Sequence, residues 1–100
     1  MARFDVYARP GGAAGYVLDV QADVLSGLNT RIVVPLLRVA DAPTPAKRLN
    51  PVFEIGTEPH VMVTQFMAAI PRALLRNLVT TLDDRDSEIM AALDMVLVGF

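Results

Sequence analysis

The chain has 100 residues, a length that predicts one domain spanning residues 1–100. It is 53% hydrophobic and 20% charged, which excludes intrinsic disorder, and its net charge of −2 argues against electrostatic binding to nucleic acid. With no cysteine and one histidine, it excludes disulfides and clusters of histidine or thiolate metal ligands, so we expect no metal and no cofactor. The apolar excess predicts either a partner surface or a core rich in small alanines.

The same sequence predicts a cytoplasmic protein without membrane contact. No apolar run reaches the roughly 18 residues that a membrane span needs. The N-terminal residues 1–5 also lack the apolar stretch of a signal peptide.

The first two thirds of the chain have the patterning of antiparallel β-strands. Alternating or β-branched apolar residues predict five strands, at residues 4–8, 16–21, 31–37, 52–55 and 60–67. Residues 9–15 are rich in glycine and form a predicted turn, and residues 41–51 form a predicted surface excursion. Pro35 has no backbone donor and is expected at a bulge or a strand end.

The last third predicts a C-terminal helix. Residues 72–82 have helical spacing that Thr80 and Thr81 weaken, so no secondary structure is assigned to them from the sequence. A helix then follows, with four acidic residues providing negative charge and a capping side chain at its start: Asp83, Asp84, Asp86 and Glu88. Its apolar stripe comprises Ile89, Leu93, Val96 and Leu97. The fold prediction is a mainly β, five-stranded antiparallel SH3-like barrel or sheet followed by one α-helix.

No group of residues in the sequence has the pattern of a catalytic site. Asp19 alternates outward on a predicted strand and is interpreted as a solvated residue. His60 is a lone histidine at a strand start, where a structural role is expected. Arg31 has the chemistry to bind phosphate but lacks a glycine-rich loop to complete the cradle. The sequence therefore favours binding over chemistry.

An ordered set of segments resembles the CcdB family of plasmid-addiction toxins. The segments are FDVY at residues 4–7, YVLDVQAD at 16–23, TRIVVPL at 30–36, LNPVF at 49–53, MVTQFMA at 62–68, Ile70-Pro71, and residues 89–100. The resemblance implies a homodimer with an SH3-like barrel and a C-terminal helix. It implies a non-enzymatic toxin that binds the DNA gyrase A subunit and traps the enzyme on cleaved DNA. It also implies a CcdA-like antitoxin that neutralises the toxin, the complex repressing its own operon, so operator DNA is contacted only through the antitoxin.

The resemblance also assigns residues to three surfaces. The gyrase-facing residues are Val24, Leu25, Asp94, Leu97, Val98, Gly99 and Phe100. The antitoxin-facing residues are Arg9, Pro10, Gly11, Gly12, Asp41, Pro43, Lys47 and Arg48. The dimer interface is expected at Met90, Leu93, Val96, Leu97 and Phe100.

One departure from the family pattern leaves alternatives open. The family ends in Trp-Gly-Ile, whereas this chain ends in Val98-Gly99-Phe100, so the glycine is kept and the tryptophan is replaced. This change favours a non-toxic chromosomal homologue that binds only an antitoxin. Another alternative is an endoribonuclease toxin of the MazF type, which shares the barrel and would need a basic groove and an arginine–threonine pair, here Arg31 with Thr30 or Thr64.

Overall fold

The structure, a computed structural model, describes residues 2–100 and consists of an antiparallel β-sheet followed by one α-helix. The elements within that range are β1 (Asp5–Ala8), β2 (Tyr16–Asp19), β3 (Thr30–Arg38), β4 (Val52–Ile55), β5 (Glu58–Met62), β6 (Ala68–Pro71), β7 (Leu78–Thr81) and α1 (Asp86–Val98). The predicted fold class, mainly antiparallel β with a C-terminal helix, is confirmed. No helix in residues 2–100 is long and apolar enough to cross a membrane.

Strand β3 organises the sheet because it pairs with three other strands. The strand order is β4-β5-β3-β2-β1-β7, and β6 also pairs with β3. On one edge β3 contacts β2, while on the other edge its first half pairs with β6 and its second half with β5. Pro35 lies between these two halves, where its missing N–H interrupts neither ladder, and its carbonyl accepts a hydrogen bond from the Val63 amide at 3.0 Å. The expectation of a bulge or strand end at Pro35 is therefore wrong.

The predicted strand count of five is corrected to seven in the described residues. The expected strand at residues 60–67 ends at Met62, where a 3₁₀ turn (Thr64–Phe66) redirects the chain into β6. The unassigned segment 72–82 forms another 3₁₀ turn, Arg72–Leu74, and then β7. Thr80 and Thr81 lie in this strand, where β-branched side chains are favoured.

Both faces of the central strands are covered, which explains their nearly continuous apolar sequences. On the face toward α1, Val6, Leu18 and Val34 pack with the helix residues Ile89 and Leu93. The opposite face has a smaller cluster of buried side chains, formed by Tyr7, Val17, Val33 and Leu75. Because successive side chains of a strand point to opposite faces, each strand supplies residues to both clusters.

A buried ion pair joins β2 to β3. The Nε of Arg31 donates to Oδ2 of Asp19 at 2.9 Å, and Nη2 lies 2.7 Å from the same oxygen, with both side chains 0% exposed. Asp19 is thus not the solvated residue expected from its alternation. The reason is that the face it shares with Val17 is itself buried. Arg31 lies inside β3 and is inaccessible to a phosphate.

Burial raises the pKa of the Asp19 carboxyl above its ordinary value, although the Arg31 guanidinium and the Gln21 backbone amide act in the opposite direction. Each partner therefore depends on the other, because neither charge contacts water. The pair is a structural element of the sheet.

Helix α1 starts and packs differently from the prediction. Asp86 and Glu88 lie in its first turn, but no side chain caps its N-terminus, so the expected capping side chain is wrong. Glu88 instead forms an exposed ion pair with Arg85 at 2.6 Å. The buried face consists of Ile89, Ala92 and Leu93, whereas Val96 is half-buried and Leu97 is 68% exposed. The predicted stripe therefore holds only for its first half.

Gly15 should be the most sensitive glycine of the fold. Its φ is +97°, and a Cβ at this position would lie 2.7 Å from the Leu36 carbonyl oxygen. We expect Gly15→Ala to lower the free energy of unfolding by about 2–4 kcal/mol, since backbone strain and the clash add. Gly12→Ala is the control, because φ is +75° there but the space is open, and about 1 kcal/mol is expected. Urea denaturation of both variants measures the difference in the free energy of unfolding. Equal losses of stability in the two variants would contradict a clash at Gly15.

Candidate interaction site

The end of α1 is the first component of the site, and Gly99 determines its shape. Gly99 has φ +86°, and its amide donates to the carbonyls of Asp94 at 3.0 Å and Met95 at 3.1 Å. This left-handed C-cap ends the helix and is easiest for glycine. The residues around the cap are exposed: Leu97 by 68%, Val98 by 59% and Phe100 by 76%. We call residues 97–100 the helix tip.

The second component is a 3₁₀ turn, Asp23–Leu25, which follows β2 and is called the 23–25 turn. Val24 at its centre is 88% exposed and Leu25 is 47% exposed. Within the turn, the Leu25 amide donates to the Ala22 carbonyl at 2.9 Å and the Ser26 amide to the Asp23 carbonyl at 3.0 Å. Two neighbouring apolar side chains are thus presented outward on a tightly folded turn.

A shallow groove of about 260 Å³ brings these two components together. We call it the tip groove; it is lined by Arg3, Val20, Gln21, Ala22, Leu25, Ile32, Met67, Met90, Leu93, Asp94 and Leu97. Of the residues predicted to face gyrase, Leu25, Asp94 and Leu97 lie on this groove. Val24, Val98, Gly99 and Phe100 are exposed but do not line it.

Of the five residues predicted for the dimer interface, four lie on α1 and the fifth, Phe100, follows its end. Met90, Leu93 and Leu97 line the tip groove, while Val96 and Phe100 do not. Leu93 is only 6% exposed and packs in the core of the monomer, so little of its side chain is available to a second copy. Met90 is half-buried and packs against the same core.

Two charged residues flank the apolar surface of the groove. Arg3 is fixed in place: its backbone amide donates to Oδ1 of Asp23 at 2.8 Å, its Nε donates to the Val20 carbonyl at 3.1 Å, and its guanidinium lies 4.9 Å from the Phe4 ring centroid. Asp94 is exposed and forms no ion pair within residues 2–100. The site is thus an apolar patch with one fixed cation and one free carboxylate.

The residues predicted to face an antitoxin fall into two separate places. Arg9, Pro10, Gly11 and Gly12 line a groove of about 490 Å³ together with Leu74, Arg76 and Asn77. The second group lies between β3 and β4, where Asp41, Pro43, Lys47 and Arg48 are exposed. Asp41 is paired with Arg38 at 2.9 Å. Arg48 borders a different groove of about 270 Å³, next to Glu88.

His60 has the geometry of a structural residue, as the sequence indicated. It is 4% exposed, its ring lies 5.0 Å from that of Tyr16 in an edge-to-face arrangement, and Nδ1 lies 3.0 Å from the Glu58 carbonyl oxygen. Because a carbonyl only accepts, Nδ1 carries the proton. Within residues 2–100, no three histidine, cysteine, aspartate or glutamate side chains are arranged to hold a metal ion.

The fold and the site together define a class of protein: a small β-sheet domain with an exposed apolar patch. Such patches often mark surfaces that contact another macromolecule. The sequence matches the family model described as CcdB protein over residues 3–99. The chain therefore belongs to the CcdB family, and it is a toxin of a toxin–antitoxin system whose partner is an antitoxin.

Proposed function

We propose that this toxin binds the DNA gyrase A subunit and stabilises the state in which gyrase holds cleaved DNA. The observation that carries the proposal is the convergence of the helix tip and the 23–25 turn, about 70 residues apart in the sequence, on one exposed apolar surface. Family membership supports the same target class.

Binding alone is sufficient for such a poison. A ligand that binds one conformational state of its target more tightly than the others shifts the population toward that state without any chemistry. The exposed side chains Val24, Leu97 and Phe100 provide apolar area for this purpose, and Phe100 is the aromatic residue at the helix tip. Aromatic anchors often carry much of the energy of an interface.

The active form is proposed to be a homodimer. Leu97 and Phe100 belong both to the predicted gyrase-facing set and to the predicted dimer interface, so a two-fold axis near the helix tips would place two apolar tips side by side. The exposure of Leu97, Val98 and Phe100 supports this arrangement, because isolated domains rarely leave such a patch open. Sedimentation analysis checks the mass, and a monomer at micromolar concentration would contradict the proposal.

The antitoxin is proposed to contact the Arg9–Gly12 groove and the 41–48 loop. Arg9, Lys47 and Arg48 form no ion pair within residues 2–100, so their charges are available to an acidic partner segment. Contact with operator DNA is proposed to occur only through the antitoxin, because the toxin itself has a net charge of −2. Its action on gyrase would take place in the cytoplasm.

The ribonuclease alternative receives no support from the structure. Arg31 and Thr64 are both 0% exposed, so neither side chain can contact an RNA backbone. The alternative of a non-toxic homologue keeps one favourable observation, the valine at position 98 in place of the family's tryptophan.

Restoring the aromatic side chain at position 98 should strengthen gyrase binding. Val98 is 59% exposed, so tryptophan fits without repacking of the core. We expect Val98→Trp to lower the Kd for the gyrase A subunit by about tenfold or more, because a buried tryptophan contributes on the order of 2 kcal/mol at an interface. Calorimetry with purified proteins measures the change. Val52→Trp, at a position 44% exposed on β4, is the control and should leave the Kd unchanged.

Expression in bacteria with sensitive or toxin-resistant gyrase tests the proposed function itself. Growth arrest only in the sensitive strain, with gyrase–DNA cleavage complexes, is the expected result. Arrest in both strains with fragmented messenger RNA would contradict it in favour of a ribonuclease. Normal growth of both strains, despite folded protein, would favour the homologue that binds only an antitoxin.

A further inference from the structure

The buried side chain of Gln21 links three separate parts of the chain. Gln21 is 5% exposed and comes directly before the 23–25 turn. Its Oε1 accepts a hydrogen bond from the Ile32 amide of β3 at 3.1 Å, and its Nε2 donates to the Leu25 carbonyl at 3.0 Å. Its own backbone amide donates to Oδ1 of Asp19 at 3.1 Å. The side-chain amide therefore joins β3 to the turn.

The two ends of this link are held by different contacts. Ile32 lies in the central strand, and Asp19 is fixed by its ion pair with Arg31, so the sheet end is anchored on both sides. The turn has two internal backbone hydrogen bonds, which determine its local shape but not its orientation relative to the sheet. Three hydrogen bonds hold the turn to the rest of the chain: the Gln21–Leu25 bond, the bond from the Arg3 amide to Asp23, and a bond at 3.2 Å from Nη1 of Arg72 to the carbonyl of Ser26, which follows the turn.

We propose that Gln21 is a positioning residue for the gyrase-binding surface, an inference that rests on the proposed function. By tethering the Leu25 carbonyl to β3, Gln21 fixes the distance between the 23–25 turn and the helix tip. Gln21 also lines the tip groove, as do Leu25 and Leu97. It acts through Val24 and Leu25 and need not contact gyrase itself.

The physical basis is pre-organisation of an exposed apolar turn. Val24 is 88% exposed, so few contacts of its own restrain it in the free protein. Without the tether, only the hydrogen bonds from Arg3 and Arg72 hold the turn to the rest of the chain, so it has more conformational freedom to lose when gyrase binds, which costs affinity. Loss of one tethering hydrogen bond is expected to weaken gyrase binding by about tenfold.

Two substitutions separate the tether from other roles of Gln21. Gln21→Glu keeps the size and the acceptor for the Ile32 amide, but it places a carboxylate oxygen against the Leu25 carbonyl. Gln21→Ala removes both bonds. Asn50→Ala is the matched control, since Asn50 is 6% exposed and its side chain likewise makes several hydrogen bonds, to Met62, Gln65 and Ala46, far along the chain from the turn.

The decisive measurement is a double-mutant cycle on the Kd for the purified gyrase A subunit. Gln21→Glu should raise the Kd by about tenfold in the wild-type background and by less than about twofold when Val24 and Leu25 are both serine. Asn50→Ala should leave the Kd within about twofold of wild type, even if its melting temperature falls. Equal effects of Gln21→Glu in both backgrounds would overturn the proposal, as would an equal loss of affinity in Asn50→Ala.

A second readout does not depend on gyrase. In the free protein, Gln21→Glu should shift the methyl resonances of Val24 and Leu25 and speed amide exchange in the 23–25 turn, while the methyls of Val34 stay in place. Unchanged turn resonances would overturn the positioning role even if wild type binds gyrase. If wild type does not bind gyrase while the turn resonances do shift, the proposed function fails and the tether itself is retained.

Discussion

Replacing Arg31 by methionine is expected to cause a large loss of stability. The variant Arg31→Met leaves the Asp19 carboxyl, which is 0% exposed, without its cation. Removing one partner of a buried pair costs about 3–5 kcal/mol in the free energy of unfolding at neutral pH. Urea denaturation at fixed protein concentration measures this loss; the concentration must be fixed because any dimerisation contributes to stability.

The loss should depend on pH in a defined direction. The pKa of Asp19 is already raised by burial, and removing the opposing influence of Arg31 raises it further. A group whose pKa is higher in the folded than in the unfolded state favours folding at low pH, and this contribution disappears as the pH rises through its folded-state pKa. Arg31→Met should therefore lose least stability at mildly acidic pH and most at alkaline pH.

Two control variants make this result specific to the buried pair. Asp19→Asn combined with Arg31→Met leaves no buried charge, so it should recover at least half of the loss and show no such pH dependence. Glu88→Gln breaks the exposed pair with Arg85, where both side chains are more than a third exposed, and should cost less than about 1 kcal/mol. An Arg31→Met variant no less stable than Glu88→Gln would contradict our account of the sheet.

Deleting Gly99 and Phe100 is expected to have the largest effect on toxicity. Phe100 is 76% exposed, so its loss exposes little of the monomer core. Gly99 makes two capping hydrogen bonds, and the last helical turn should fray without them. The deletion removes an aromatic anchor and also changes the shape of the helix tip. Together these losses should raise the toxin concentration needed to trap gyrase by about 100-fold or more.

Single substitutions separate the helix tip from exposed apolar residues elsewhere. Phe100→Ala keeps the Gly99 cap and should account for a large part of the loss. Leu97→Ser and Leu78→Ser form a matched pair, since these leucines are 68% and 61% exposed, but only Leu97 lines the tip groove. Only Leu97→Ser should reduce trapping. Full toxicity after the deletion would show that the site is elsewhere.

The sequence predicted the general architecture because its strongest patterns reflect local preferences. The β-branched run of β3 and the apolar residues after the acidic cluster identified the central strand and the helix. The sequence patterns missed β6 because the apolar run from residue 60 continues across a 3₁₀ turn, which has no clear sequence signature. The strand in residues 72–82 forms because β7 pairs with β1, a contact that no local pattern encodes.

The candidate site was predictable only in part. Leu25, Asp94 and Leu97 were named from the resemblance, and they line one groove. Gln21 was not singled out from the sequence, because its proposed role rests on hydrogen bonds to Ile32 and Leu25 that exist only once the 23–25 turn lies beside β3. Asp19 and Arg31 offered one signal, opposite charges on adjacent predicted strands. Their burial, however, follows from the cluster on the second face of the sheet. That cluster includes Leu75, which lies in the segment 72–82 to which the sequence assigned no secondary structure.

A cleavage assay with purified gyrase, supercoiled DNA and ATP tests the central claim most directly. After denaturation of the enzyme, linear DNA should accumulate in proportion to added toxin, and the form lacking Gly99 and Phe100 should give none at the same concentration. Absence of linear DNA with folded wild-type protein at concentrations up to about 10 μM would contradict gyrase poisoning by this chain.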